Sequence, residues 1–418
     1  MRILIISAIY AITGTLAGYA QKNSDVYNLS FSFTTITQYK PPIHSPYVGQ
    51  NSIIPQAEIK TSYVSTLYSS IHPFKNTTFE FDPEVAGGRG LSGAVGIAGF
   101  PNAQTYRISN SRPEVYIARL FVQGEIPLTM GSRLKLTLGK FSLPDFIDQN
   151  KYANDPTTEF MNWVLVNNGA WDFAADTRGY TWGLAAEYIK YSIHIRIITA
   201  LEPESANGLK MDVDLRNSLG SNLEFEFPYS ANALKGVVRV MIYLNRARMG
   251  NYDMSIKNRI NGTPDIISTR QNGRTKLGLC LNFQQPIDDD IGVFSRIGWS
   301  DGQNETWAFT EVDRFLSGGV SVSGSSWHNR EDHAGLAFAI NMLSKSHREY
   351  LEAGGAGFML GDGKLNYAPE FISELYYNAA LISNRFQISP DYQLIINPAY
   401  NKDRGPVSVF SVRLHIEI

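Results

Sequence analysis

The chain has 418 residues, of which 18% are charged and 12% aromatic, with a formal net charge of -2. That charge density lies below the roughly 25% of an ordinary soluble domain, and the near-neutral balance gives no broad basic field for nucleic acid, so no nucleic-acid partner is expected. The single cysteine, Cys280, excludes an intrachain disulfide and a multi-cysteine metal cluster.

Residues 1–20 read as a secretory signal peptide. Arg2 is a short positive region, 3–16 is mostly apolar, and Gly18-Tyr19-Ala20 places small residues where cleavage needs them. The alternative is an N-terminal anchor, but the apolar stretch falls short of the ~20 residues that span a bilayer. No cysteine follows for lipidation, and cleavage removes only Arg2, taking the charge from -2 to -3. Residues 21–418 then form one domain. No later run approaches ~20 consecutive apolar residues, which leaves an exported soluble β-protein or an outer-membrane barrel.

Alternation with period two dominates. YSIHIRI (191–197) sets Tyr191, Ile193, Ile195 and Ile197 opposite His194 and Arg196, and NLEFEF (222–227) sets Leu223, Phe225 and Phe227 opposite Glu224 and Glu226. The terminal VFSVRLHIEI sets Phe410, Val412, Leu414, Ile416 and Ile418 opposite Arg413, His415 and Glu417. Strands are expected at 28–39, 60–71, 77–82, 114–123, 133–141, 179–189, 191–201, 221–228, 235–245, 274–285, 291–300, 318–327, 334–343, 370–378, 385–396 and 407–418, with 307–315 in a loop. Sixteen is an even number, and short and long connections alternate along the chain, as in a transmembrane antiparallel β-barrel with short periplasmic turns and long extracellular loops. A sandwich has no reason to alternate loop lengths. The apolar faces then meet outer-membrane lipid. The polar faces line a lumen that sixteen strands leave wide enough for water.

No catalytic signature is present. GRGLSGAVG (88–96) lacks the GK[ST] ending of a phosphate loop, GGAGFMLGDGK (354–364) misses both phosphate-loop and dinucleotide spacings, and neither GxSxG nor HExxH occurs. WHNREDH (327–333) and the acidic Asp288, Asp289 and Asp290 read as polar turns, so no metal or other cofactor is expected. The chemistry lies on the inward face instead. Alternation aims Lys135, His194, Arg196, Arg239, Lys276, Arg296, Arg413 and His415 into the lumen, with Glu224, Glu226, Glu374, Asp391 and Glu417. They either keep water in the pore or join inward-folding loops in a constriction. A mixed-sign lining disfavours a strong ion filter and suits neutral polar solutes. In 160–183, Trp163 and Trp171 are candidates to stack on sugar rings, against a packed loop cluster as the alternative.

The stretches AGGRGLSGAVGIAGFPNAQTYR (86–107), GKFSLPDFIDQNKYANDPTTEFMNW (139–163), NNGAWDFAADTRGYTWG (167–183), WAFTEVDR (307–314), SKSHREYLEAGGAGFMLGDG (344–363) and SPDYQLIINPAYNKDRGPVSVFSVRLHIE (389–417) resemble the carbohydrate-selective porins of the OprB family. The resemblance implies a sixteen-stranded outer-membrane barrel of the bacterial cell, passing sugars passively through a pore narrowed by loops and basic side chains. It implies no enzyme activity. Carried onto this chain, it points to Arg89 in GGRG, Arg178 in DTRGYTWG and Arg404 in DRGPV as constriction residues, with loop bracing as the alternative for each. Implied partners are sugar solutes, outer-membrane lipid and the barrel-insertion machinery, as a monomer or, by fold analogy, a trimer. One departure is Ile418, where such barrels usually carry an aromatic ring. A general or ion-selective porin is the alternative function; an outer-membrane enzyme or a plugged adhesion barrel is a more distant one.

Overall fold

The computed structural model describes residues 26–108, 111–231, 233–259, 262–309, 311–327, 329–381 and 385–418; the expected signal peptide and His328 lie outside them. The strands are β1 (Tyr27–Lys40), β2 (Glu58–Phe74), β3 (Thr77–Gly88), β4 (Glu114–Pro127), β5 (Ser132–Phe141), β6 (Thr181–Lys190), β7 (Ile193–Ala200), β8 (Leu219–Ala231), β9 (Leu234–Ala247), β10 (Arg274–Pro286), β11 (Ile291–Ser300), β12 (Arg314–Ser323), β13 (His333–Met342), β14 (Glu370–Ala380), β15 (Phe386–Ile396) and β16 (Val407–Glu417). Each pairs antiparallel with its neighbours in sequence, and β16 returns to β1, with Phe33 opposite Ile416 and Tyr39 opposite Phe410. Closure leaves no edge, so the ladder satisfies its own backbone groups within the lipid zone. Among the described residues no helix is long and apolar enough to cross a membrane.

The strands run where expected, several with ends extended by up to four residues as in β4, and two expectations shift more substantially. β3 runs on to Gly88, six residues beyond its expected end, and β12 begins at Arg314, so Phe315 belongs to a strand. In both segments small residues and glycines obscure the alternation.

The faces divide as lipid and lumen require. Phe410, Val412, Leu279, Ile297 and Leu375 stand 41–53% exposed on the outside. Lys276, Arg296, Glu374, Gln393 and Arg413 point inward and are fully buried. Their burial corrects the expectation of a mainly water-filled lumen. Long loops fold into the barrel and carry an apolar core of their own, including Leu91, Ile97, Phe100, Phe160, Val164, Leu165 and Phe173, packed on inward-facing Ala337, Ala339 and Ile372.

The polar wall is what holds this plug. Glu374 accepts from the backbone N–H groups of Met161 and Asn162 (2.9 Å for the latter), and Glu370 from those of Ala98, Gly99 and Ala399 at 2.7–3.0 Å. Arg413 donates to the carbonyls of Pro156, Thr158 and Glu159 at 2.6–3.0 Å. A loop buried away from water must find partners for its main chain, and these inward side chains supply them. Gly298 shows how closely the loop approaches: a Cβ there would stand 2.1 Å from Asn168 Oδ1.

Candidate functional site

The plug is eccentric. A space of about 290 Å³ remains against β1, β2 and β4, and a second of about 300 Å³ lies towards the short-turn side against β4 to β7. Asp145 and Gln149 border both, so the two adjoin under the loop that follows β5.

One wall of the upper space carries arginines. Arg107 ends a short 3-10 turn (Ala103–Arg107) whose N-terminus is capped by Asn102 Oδ1 on the Gln104 N–H (3.0 Å). Its guanidinium donates to Glu84 (2.8 Å) and to the Tyr180 hydroxyl (2.5 Å). Glu84, 1% exposed, also accepts from Thr66 (2.7 Å), Tyr180 (3.0 Å) and Tyr116. Arg119 grips Asp145 with two parallel bonds at 2.8 and 2.5 Å. Arg178 lies 4.1 Å over the Tyr116 ring and pairs with Glu114. The Tyr180 ring sits beneath Arg107, Arg119 and Lys140 at 5.3, 5.7 and 6.0 Å. Burial pushes the Tyr180 phenol well up, with Arg107 opposing, so it remains an O–H donor.

Arg119 reaches the lumen through a β-bulge. Tyr116 and Ala118 are buried while Val115 and Ile117 are 76% and 40% exposed, so strict alternation would send residue 119 to lipid. The register shifts here: Asp82 pairs with Arg119 and Pro83 with Ile117, leaving Ala118 unpaired. The extra residue turns the following side chains over, and Arg119 faces inward.

An aromatic cluster borders the same space. Trp163, Phe173 and Phe309 form a cluster with ring centroids 4.7–5.6 Å apart, and all three border the space. Trp163 opens a helical turn (Trp163–Val166) capped by Asn162, whose own side chain is tied to Gln393 (2.9 Å) and the Gly99 carbonyl (3.0 Å). In the lower space Arg196 is held by Glu187, Glu224 and Glu226, each at 2.8 Å, and Arg239 pairs with Glu226 at 2.9 Å.

The residues expected from sequence therefore separate. Arg178 and Trp163 border the upper space, and Arg196 the lower. Arg239 joins the Arg196 network from β9. Arg296 and Arg413 are fully buried on loop carbonyls, as is Glu374 on loop N–H groups; Asp391, 6% exposed, accepts from Gln393 (3.2 Å). Trp171 is 2% exposed beneath the plug, bonded to Asn222 (2.9 Å). Arg404 binds Ser45, the Tyr47 carbonyl and Asp362 at 2.8–2.9 Å and stacks on Tyr47, bracing two loops together. Arg89 is exposed at the end of β3, with its N–H on the Thr61 carbonyl (3.0 Å). Arg107, Arg119 and Asp145 were not expected. Arg107 lay within a family-like stretch and could have been weighed there, whereas the bulge concealed Arg119.

The arrangement brings fixed, planar, charged hydrogen-bonding groups and the partly accessible ring of Trp163, 7% exposed, to one space. Solutes with hydroxyls on their edges and C–H groups on their faces match both. The arginines are each answered by a carboxylate, so the wall is not a single-sign filter.

The model of the carbohydrate-selective porin, OprB family, matches residues 51–418. Among solved structures, the high-pH structure of Pseudomonas putida OprB superposes with a TM-score of 0.71 at 15% identity, covering 94% of each chain. The outer membrane channel DcaP of Acinetobacter baumannii gives 0.55 at 8% identity, covering 95% of this chain and 99% of that one. A search of curated protein sequences found no match.

Proposed function

The chain belongs to the carbohydrate-selective porin OprB family and is a porin of the bacterial outer membrane; from that premise we propose the route and the contacts by which it passes sugars. Solutes enter the upper space and pass Arg107, Arg119, Arg178 and the ring of Trp163, which Phe173 and Phe309 back from within the plug. They leave past Asp145 and Arg196. Passage is passive and involves no covalent chemistry. The arginines exchange hydrogen bonds with successive hydroxyls without moving, because carboxylates and tyrosines hold them. The aromatic edge replaces water on the sugar face. The observation that carries this reading is that guanidinium groups held by carboxylates and the ring of Trp163 border the same open space.

The test is sugar block of ion current through the reconstituted pore. Arg119→Ala leaves Asp145 without its two bonds and should weaken mono- or disaccharide block about tenfold, the scale of one charge-assisted hydrogen bond partly shielded from water. Block unchanged in Arg119→Ala and in Arg178→Ala would place the sugar path elsewhere.

We further propose that 1–20 is removed on export and that the barrel-insertion machinery and outer-membrane lipid are its partners.

A further inference from the structure

The outward face of β9 ends in arginine. Leu234, Gly236, Val238, Val240, Ile242 and Leu244 take its successive outward positions. The ten residue steps from Leu234 to Leu244, at about 3.3 Å each and tilted by about 40°, rise about 25 Å. That is the height of the apolar band of an outer-membrane barrel. Arg246, exposed, takes the next outward position, at the extracellular limit of the band. Ala247 and Met249 are fully buried with Trp307, so alternation keeps Arg248, also exposed, on the outer face. Other strands close the same boundary differently: Tyr39, Ile59, Trp182 and Ile396 stand there on β1, β2, β6 and β15.

The charge of this corner is not answered from within the protein. Arg246 Nη1 donates to the Arg216 carbonyl (3.0 Å), and neither Arg246 nor Arg248 has a carboxylate partner among the described residues. The cations of the neighbouring 201–218 loop are answered there, Lys210 by Glu204 (2.6 Å) and Arg216 by Asp214 (3.6 Å). Arg274, opposite Ala247 on β10, adds a third guanidinium, tied to the Thr269 carbonyl (3.2 Å). Residues two apart on one face of a strand lie about 7 Å from each other, so Arg246 and Arg248 repel until an anion joins them. The Arg246 bond also draws 213–216 to this end of β9, where Val213 and Leu215 are 78% and 59% exposed. The surface is aliphatic along the strand and cationic at its extracellular limit. Guanidinium groups take phosphate oxygens in paired hydrogen bonds, and the aliphatic stripe below suits acyl chains. A free phosphate would use only the first feature and a neutral lipid only the second.

We propose that the extracellular end of β9 binds a phosphorylated glycolipid of the outer leaflet, with Arg246 and Arg248 on the phosphates of a lipid A headgroup and its acyl chains along Ile242 and Leu244. The site lies outside the barrel and is independent of the sugar path. Full-length protein in neutral detergent is titrated with diphosphoryl lipid A, and bound lipid is counted by native mass spectrometry. Monophosphoryl lipid A, phosphatidylcholine and inorganic phosphate are run in parallel. The expected result is saturable binding that falls from the diphosphoryl to the monophosphoryl lipid, is weakest for phosphatidylcholine, and weakens as salt rises. Arg246→Ser should weaken it about fivefold, and the double change with Arg248→Ser about 25-fold. Both side chains are exposed, so the variants should keep a heat-modifiable barrel and wild-type sugar block. Should Arg246→Ser not fold, Arg248→Ser alone should still weaken binding about fivefold. Equal binding of phosphatidylcholine, displacement by inorganic phosphate at the lipid's concentration, or undiminished affinity in the folded variants would each overturn the proposal. So would a stable oligomer that takes up lipid A only once dissociated, since a second copy would then cover this face.

Discussion

Arg296→Ala tests whether the inward charges of this barrel are struts for the plug. The Arg296 side chain, fully buried on β11, donates to the carbonyls of Leu165 (2.8 Å), Ala153 (2.8 Å) and Asp148 (3.0 Å) and faces the Asp148 carboxylate at 3.2 Å. Truncation leaves three buried carbonyls without this donor and a buried carboxylate without its cation. Removing one partner of a buried pair costs about 3–5 kcal/mol. Orphaned carbonyls would add to this, but the loop can relax towards channel water, so the pair cost sets the scale. The loss should fall on the loop between β5 and β6, because the main-chain ladders from β11 to β10 and β12 do not involve the side chain. Amides of that loop should exchange roughly 10²- to 10⁴-fold faster with solvent, while strand amides keep their protection. Gel migration should still show a heat-modifiable barrel, and open-channel current should become noisier. Loop exchange at the wild-type rate, with sugar flux alone altered, would refute the reasoning and return Arg296 to a solute-facing role.

Trp163→Ala removes one ring of the aromatic cluster and should weaken sugar block of ion current by about three- to tenfold, the range of one aromatic contact beyond its area; the same change in Trp171, sealed beneath the plug, should act on folding and leave block intact. Arg404→Ala leaves Asp362 unpaired and the 397–406 loop unbraced, and should destabilise that loop by about 3 kcal/mol in hydrogen exchange with sugar flux retained. Glu311, in the loop before β12, accepts the N–H groups of Met359 (3.3 Å) and Leu360 (2.7 Å); burial raises its carboxyl to about 7 against the opposing effect of His347. The folded state thus holds the proton more tightly than the unfolded one. Its contribution is present at acid pH and is lost as pH rises from 4.5 to about 7. Melting temperature should therefore fall across that window, and Glu311→Gln should flatten the dependence; a wild-type curve that instead rises there would contradict the assignment.

The sequence by itself determined the barrel. Lipid on one side and a polar interior on the other impose a two-residue period, and VFSVRLHIEI or TKLGLCLNF displays that period without reference to anything distant. Strand number, the alternation of short and long connections and the lipid face all follow from such local patterns. Weak alternation misplaced boundaries most where small residues blur it, in β3 and β12, and strand ends such as those of β2, β4 and β8 run three or four residues further than the pattern suggested. Tertiary structure alone decided what the inward residues touch. Alternation aims Arg296, Arg413 and Glu374 at the lumen, but whether they meet water or loop backbone depends on contacts with residues far away in the chain, such as Arg413 with Glu159 or Glu374 with Met161. The same holds for Arg404, whose partners Ser45, Tyr47 and Asp362 come from two other loops. Arg119 is the sharpest case. One unpaired residue, Ala118, reverses the face of everything after it, and a bulge is set by the register between two strands, which no single strand's pattern contains.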